Sequence, residues 1–80
     1  MYGYRILKKS NITGELIGDK NEIEGTAKYE LDCLNKGIED VRSQTEFDPD
    51  LEGTVYYVET FEIGSDNKAV EETRKQVRVA

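Results

Sequence analysis

An α+β fold of order ββαββ, with one amphipathic helix on an antiparallel sheet, is what three features of this sequence predict. Ala27, Leu31, Leu34, Ile38 and Val41 recur at helical spacing within residues 26–44 and draw a single apolar stripe. The opposite side of that segment is polar: Lys28, Asp32, Asn35, Lys36, Glu39 and Ser43. On either side lie runs of aromatic and branched residues that read as strands. A helix with one dry face needs something flat and apolar to rest on, and those strands supply it.

The 80 residues make one small domain, 1–80. A chain of this size buries only about 60–65% of its unfolded surface. Stability on the order of 5 kcal/mol is therefore expected unless a second subunit adds apolar burial. The formal charge is −6, and the acids concentrate between Glu39 and Glu62 while Arg5, Lys8, Lys9, Arg74, Lys75 and Arg78 sit towards the two ends. The basic ends are thus placed to pair with the acidic middle. A net-negative chain repels phosphate backbones, which disfavours direct nucleic-acid binding. Cys33 is the one cysteine, so no internal disulfide can form, and a reducing, cytoplasmic setting is expected. No apolar run has the length of a signal core or a membrane span, so no membrane association is expected.

In chain order, residues 2–10 read as the first strand. Asn11-Ile12-Thr13-Gly14 reads as a turn in which Gly14 takes positive φ, and Glu15-Leu16-Ile17 as the return strand. The helix start has two candidates: Asn21 with Glu24 as a capping box, or Thr26 as the cap, and the later one is favoured because Gly25 precedes it. Gly37 costs about 1 kcal/mol relative to Ala inside a helix, so close approach of the sheet or a second subunit is expected there. Residues 54–63 form the best strand, with Val55, Tyr57, Phe61 and Ile63 on one face, expected under the helix, and Tyr56, Val58, Thr60 and Glu62 on the other. Gly64 to Lys68 is turn chemistry. The last segment fits either a helix carrying a Glu71–Lys75 pair or a strand through Gln76-Val77-Arg78-Val79; the strand is favoured, with Val77 expected near Val55.

Three segments, Tyr4-Arg5-Ile6-Leu7-Lys8, Thr13-Gly14-Glu15-Leu16-Ile17 and Asn35-Lys36-Gly37-Ile38-Glu39-Asp40-Val41-Arg42, resemble the unit of the YegP-like proteins. The resemblance covers roughly residues 4 to 42. It implies a small cytosolic α+β domain that self-associates through its sheet, and it implies no chemistry.

Chemistry is sparsely provided for. The chain has no histidine, the commonest general base and metal ligand. Cys33 lies mid-helix, where no helix N-terminus lowers its pKa, and reads as a small packing residue. Asp48, Asp50, Glu52, Gly53 and Glu59 imitate the spacing of a calcium loop, but a strand follows where the exiting helix should begin. A solvated acidic loop is the favoured reading. No enzyme activity, no cofactor and no metal are expected.

Tyr56, Val58 and Thr60, taken as an uncovered sheet face, and Tyr29 on the helix are the candidate interface. The expected function is a non-catalytic protein-binding domain that self-associates, as a homodimer through its sheet. The alternative is an acidic inhibitor or regulator, of the nucleic-acid-mimicking kind found in phage and mobile elements. It would offer Asp48, Asp50 and Glu52 to a basic partner protein.

Overall fold

The computed structural model describes residues 1–17, 23–47 and 53–79. Among them the elements run β1 (Tyr2–Ser10), β2 (Leu16–Ile17), β3 (Gly25–Ala27), α1 (Glu30–Phe47), β4 (Thr54–Glu62), a 3-10 turn (Glu71–Thr73) and β5 (Lys75–Arg78). The sheet is antiparallel throughout and is built on β1 paired with β4, from Tyr2 opposite Glu62 to Ser10 opposite Thr54. The other edge of β1 is shared: β2 takes Lys8 and Lys9, β3 takes Tyr2 to Tyr4. Between them the Ile6 N–H donates to Glu24 Oε1 at 3.3 Å. β5 adds to the far side of β4, from Tyr57 opposite Arg78 to Thr60 opposite Lys75.

The predicted α+β architecture is present, with one short strand more than expected. Gly25-Thr26-Ala27 does not open the helix; it pairs with β1, and the helix begins at Glu30. Gly25 makes this possible, because a Cβ there would stand 2.6 Å from Tyr4 Cε1 on the neighbouring strand. The first turn forms with the Cys33 N–H donating to Tyr29 O at 3.2 Å, so Thr26 is not its cap, and Asn21 lies outside the described residues. The first hairpin closes as expected: the Ser10 N–H donates to Glu15 O at 2.9 Å, the Gly14 N–H to Ser10 O at 2.8 Å, and Gly14 has φ 72°. Ser10 Oγ also accepts from the N–H groups of Ile12 and Thr13, fixing the turn from its strand end.

Both packing faces are rotated from expectation. On α1 the residues in the core are Cys33 and Val41, with Leu34 and Ile38 beside them, whereas Leu31 is 65% exposed. The contact line therefore runs through Cys33, Gly37 and Val41, about a quarter of a turn from the predicted stripe. On β4 the helix covers Tyr56 and Val58, which join Tyr4, Ile6, Cys33 and Val41 in one buried cluster. This reverses the expected parity. The physical reason lies on the other face, where Glu59 stands opposite Arg5. A helix laid over that face would have placed an apolar stripe on a carboxylate. Gly37 meets Val58 directly, in line with the expected close approach to the sheet.

The far face is not bare. Leu7, Val55 and Phe61 are buried there, and the Phe61 ring lies over Gly3, where a Cβ would come within 2.7 Å of Phe61 Cε2. The Arg74 guanidinium stacks 5.1 Å from the Phe61 ring centre. The chain reaches this face through the turn at Gly64 to Lys68, where the Gly64 N–H donates to Lys68 O at 2.9 Å and Asn67 has φ 62°. The terminal segment is a strand after a short 3-10 turn, with Val77 opposite Val58 and not near Val55.

Across the core, the Tyr4 hydroxyl donates to Asp40 Oδ2 at 2.6 Å and ties β1 to the helix. Tyr4→Phe keeps the ring and removes that charge-assisted bond, so denaturant melts should show a loss of about 1–2 kcal/mol.

Candidate functional site

Two features stand out, a buried charge node on the far face and the exposed edge at β5, and the first holds the second in place. Glu59, in mid-β4, has a side chain only 2% exposed. Its Oε1 accepts from Arg5 Nε at 2.7 Å and from Arg74 Nη1 at 2.5 Å, and its Oε2 accepts from Gln76 Nε2 at 2.9 Å. Arg74 is held in turn by both oxygens of Glu71, at 2.8 and 3.1 Å. One carboxylate thus fastens β1, β4 and the entry to β5, and the basic ends do pair with the acidic middle. Lys75 adds a bridge to Glu30 on α1 at 3.1 Å, exposed enough to contribute little.

Burial alone would raise the Glu59 pKa, but the hydrogen bonds from Gln76, Arg5 and Arg74 outweigh it and hold the carboxyl below its ordinary value of 4.5. A carboxyl held low in the folded state favours folding above its ordinary value and loses that contribution as pH falls through the folded value. Stability measured in urea should be level from neutrality to about pH 5 and decline steadily below it. A level profile down to about pH 3 would contradict the role given to Glu59.

β5 is the end strand of the sheet, and all four of its residues are exposed. The Val79 N–H donates to Tyr56 O at 2.9 Å, so by alternation Val77 also points its N–H at β4, while those of Gln76 and Arg78 point outward. The side chains of Val77 and Val79 lie on the helix side, and Val77 is 41% exposed. Leu31 shares a flank of α1 with Leu34 and Ile38 through its i, i+3, i+7 spacing, at the end that reaches β5 through Glu30.

The predicted interface residues fare differently. Tyr56, Val58 and Thr60 are buried under the helix and offer no outward surface; the reversed parity explains why. Tyr29 is 60% exposed, with Lys28 Nζ 5.6 Å from its ring centre. Asp48, Asp50 and Glu52 lie outside the described residues. Glu59, the last acid of the calcium-like spacing, has both oxygens engaged by protein donors. Cys33 is fully buried, and burial pushes its thiol pKa up. Among the described residues no helix is long and apolar enough to cross a membrane.

The node of Arg5, Glu59, Arg74 and Gln76 was missed by sequence reasoning. Its one signal is an acid in the middle of a largely apolar strand, and that acid has partners far along the chain in both directions. Comparison with known proteins returns no matching family model, no similar curated protein and no similar solved structure.

Proposed function

We propose that this chain is a non-catalytic self-associating domain that forms a homodimer by pairing β5 with β5 of a second copy. The observation that supports this reading is an exposed end strand with outward N–H groups at Gln76 and Arg78, beside the half-exposed Val77. The YegP-like resemblance, which implies association through a sheet, points the same way.

Charge selects the register. A two-fold axis through Val77 sets Gln76 opposite Arg78 and Lys75 opposite Val79, with no like charges directly opposed. A register centred on Arg78 would set two arginines against each other. The pairing closes Val77 against its own copy on the helix side. Two short edges bury less than a standard interface of about 1,200–2,000 Å², so affinity in the micromolar range is expected.

Sedimentation equilibrium tests the proposal. The native chain should be dimeric at tens of micromolar and insensitive to salt. Arg78→Pro removes an outward N–H without touching the β4 ladder, so it should be a folded monomer at that concentration. A native chain that stays monomeric would overturn the proposal, and one that instead carries a basic partner released by salt would make the acidic segment the functional one.

A further inference from the structure

The far face of the sheet carries a cavity of about 360 Å³ lined by Arg5, Ile23, Phe61, Lys68, Ala69 and Arg74, among others. Its polar lining is unevenly used. Arg74 spends its donors on Glu59 and Glu71. Arg5 spends only Nε, on Glu59, and its buried Nη1 has no acceptor among the described residues. A buried guanidinium nitrogen without an acceptor is costly, and a carboxylate is the group whose two oxygens match that planar fork. Lys68 also lines the cavity and is exposed. Among the described residues, Arg5, Arg74 and Lys68 against Glu59 and Glu71 leave one positive charge at the cavity, in a chain of net charge −6. Ile23, Phe61 and Ala69 add an apolar part to the same lining.

We propose that this cavity binds a small organic monocarboxylate, its carboxylate on Arg5 Nη1 and Lys68 and its compact apolar body against Ile23, Phe61 and Ala69. One net charge suits a monoanion, and the apolar part of the lining separates such a ligand from inorganic anions. The site rests on β1, β4, the turn after β4 and the 3-10 turn before β5, and it uses none of the outward N–H groups of the β5 edge.

Benzoate, acetate and benzamide are the probes, titrated into the full-length chain labelled with ¹⁵N. The amide signals of Phe61, Lys68 and Ala69 and the Arg5 Nε–H signal are followed. Benzoate should saturate. Acetate, which lacks the apolar body, and benzamide, which lacks the charge, should each bind at least about tenfold more weakly. Lys68→Ala, in an exposed turn, should weaken benzoate several-fold with the rest of the spectrum unchanged. Arg5→Lys keeps a cation for Glu59 but loses the fork, and should weaken benzoate by about tenfold or more. Equal binding of benzoate and benzamide, absence of saturation, or unchanged affinity in both variants would overturn the proposal.

Discussion

Glu59→Gln should destabilise the fold by about 3 kcal/mol, more than half of the roughly 5 kcal/mol a domain of this size is expected to have. The substitution is nearly isosteric, so packing around Leu7, Val55 and Phe61 changes little. What changes is the charge balance. The Arg5 side chain is 12% exposed and would face a neutral amide in place of its only carboxylate partner among the described residues. Arg74 keeps Glu71, which confines most of the damage to Arg5 and to the fastening of β5. Breaking one side of a buried pair typically costs about 3–5 kcal/mol, and the low end applies because both guanidiniums have some route to water. The control is Arg5→Met combined with Glu59→Met. Removing both charges together should recover most of the loss, since a buried ion pair replaced by apolar groups of similar volume is often near neutral. Chemical denaturation of the three chains decides it. A loss below about 1 kcal/mol for Glu59→Gln would mean the node is solvated enough to be unimportant.

Gly37→Ala should also destabilise, against the usual sign for a helix. In an open helix interior this change gains about 1 kcal/mol. Here the new methyl would overlap Val58 Cγ1, with Val58 Cγ2 at 3.0 Å and Tyr4 Cδ2 at 3.3 Å. Val58 is fully buried and its β-branched side chain is restricted at χ1, so it has little room to turn away. Overpacking costs about 1–3 kcal/mol, so a net loss of about 1–2 kcal/mol is expected after the helix gain. Val58→Ala alone should cost about 1–3 kcal/mol through the space it leaves. Made together, the two substitutions should cost less than the sum of their separate effects, because the alanine methyl fills part of the space. Strict additivity would show that the helix stands further from β4 than this packing requires.

Local features of the fold were legible because their causes are local. Gly14 and the polar run from Gly64 to Lys68 specify turns within a few residues, and both turns are formed. Gly37 marked the place where helix and sheet touch. The face of β4 under the helix was not legible from its own composition, since Tyr56 and Val58 are as apolar as Val55, Tyr57 and Phe61. What decides it is Glu59, whose partner Arg5 lies on β1 and whose other partners, Arg74 and Gln76, come from the end of the chain. A cross-strand register is needed before those residues can be read together. The same limit applies at Thr26. Its capping chemistry is sound in isolation, but pairing of Gly25 to Ala27 with the edge of β1 claims that segment for the sheet.

The most direct test of the β5 dimer is amide hydrogen exchange at Gln76 and Arg78, compared at low micromolar and at several hundred micromolar protein. Their N–H groups point away from β4, whereas those of Val77 and Val79 point towards it. Pairing of two β5 edges predicts that Val77 and Val79 are protected at both concentrations, while Gln76 and Arg78 become protected only at the higher one. If the two outward amides exchange freely at both concentrations, β5 does not pair with a second copy, whatever mass the chain shows in solution.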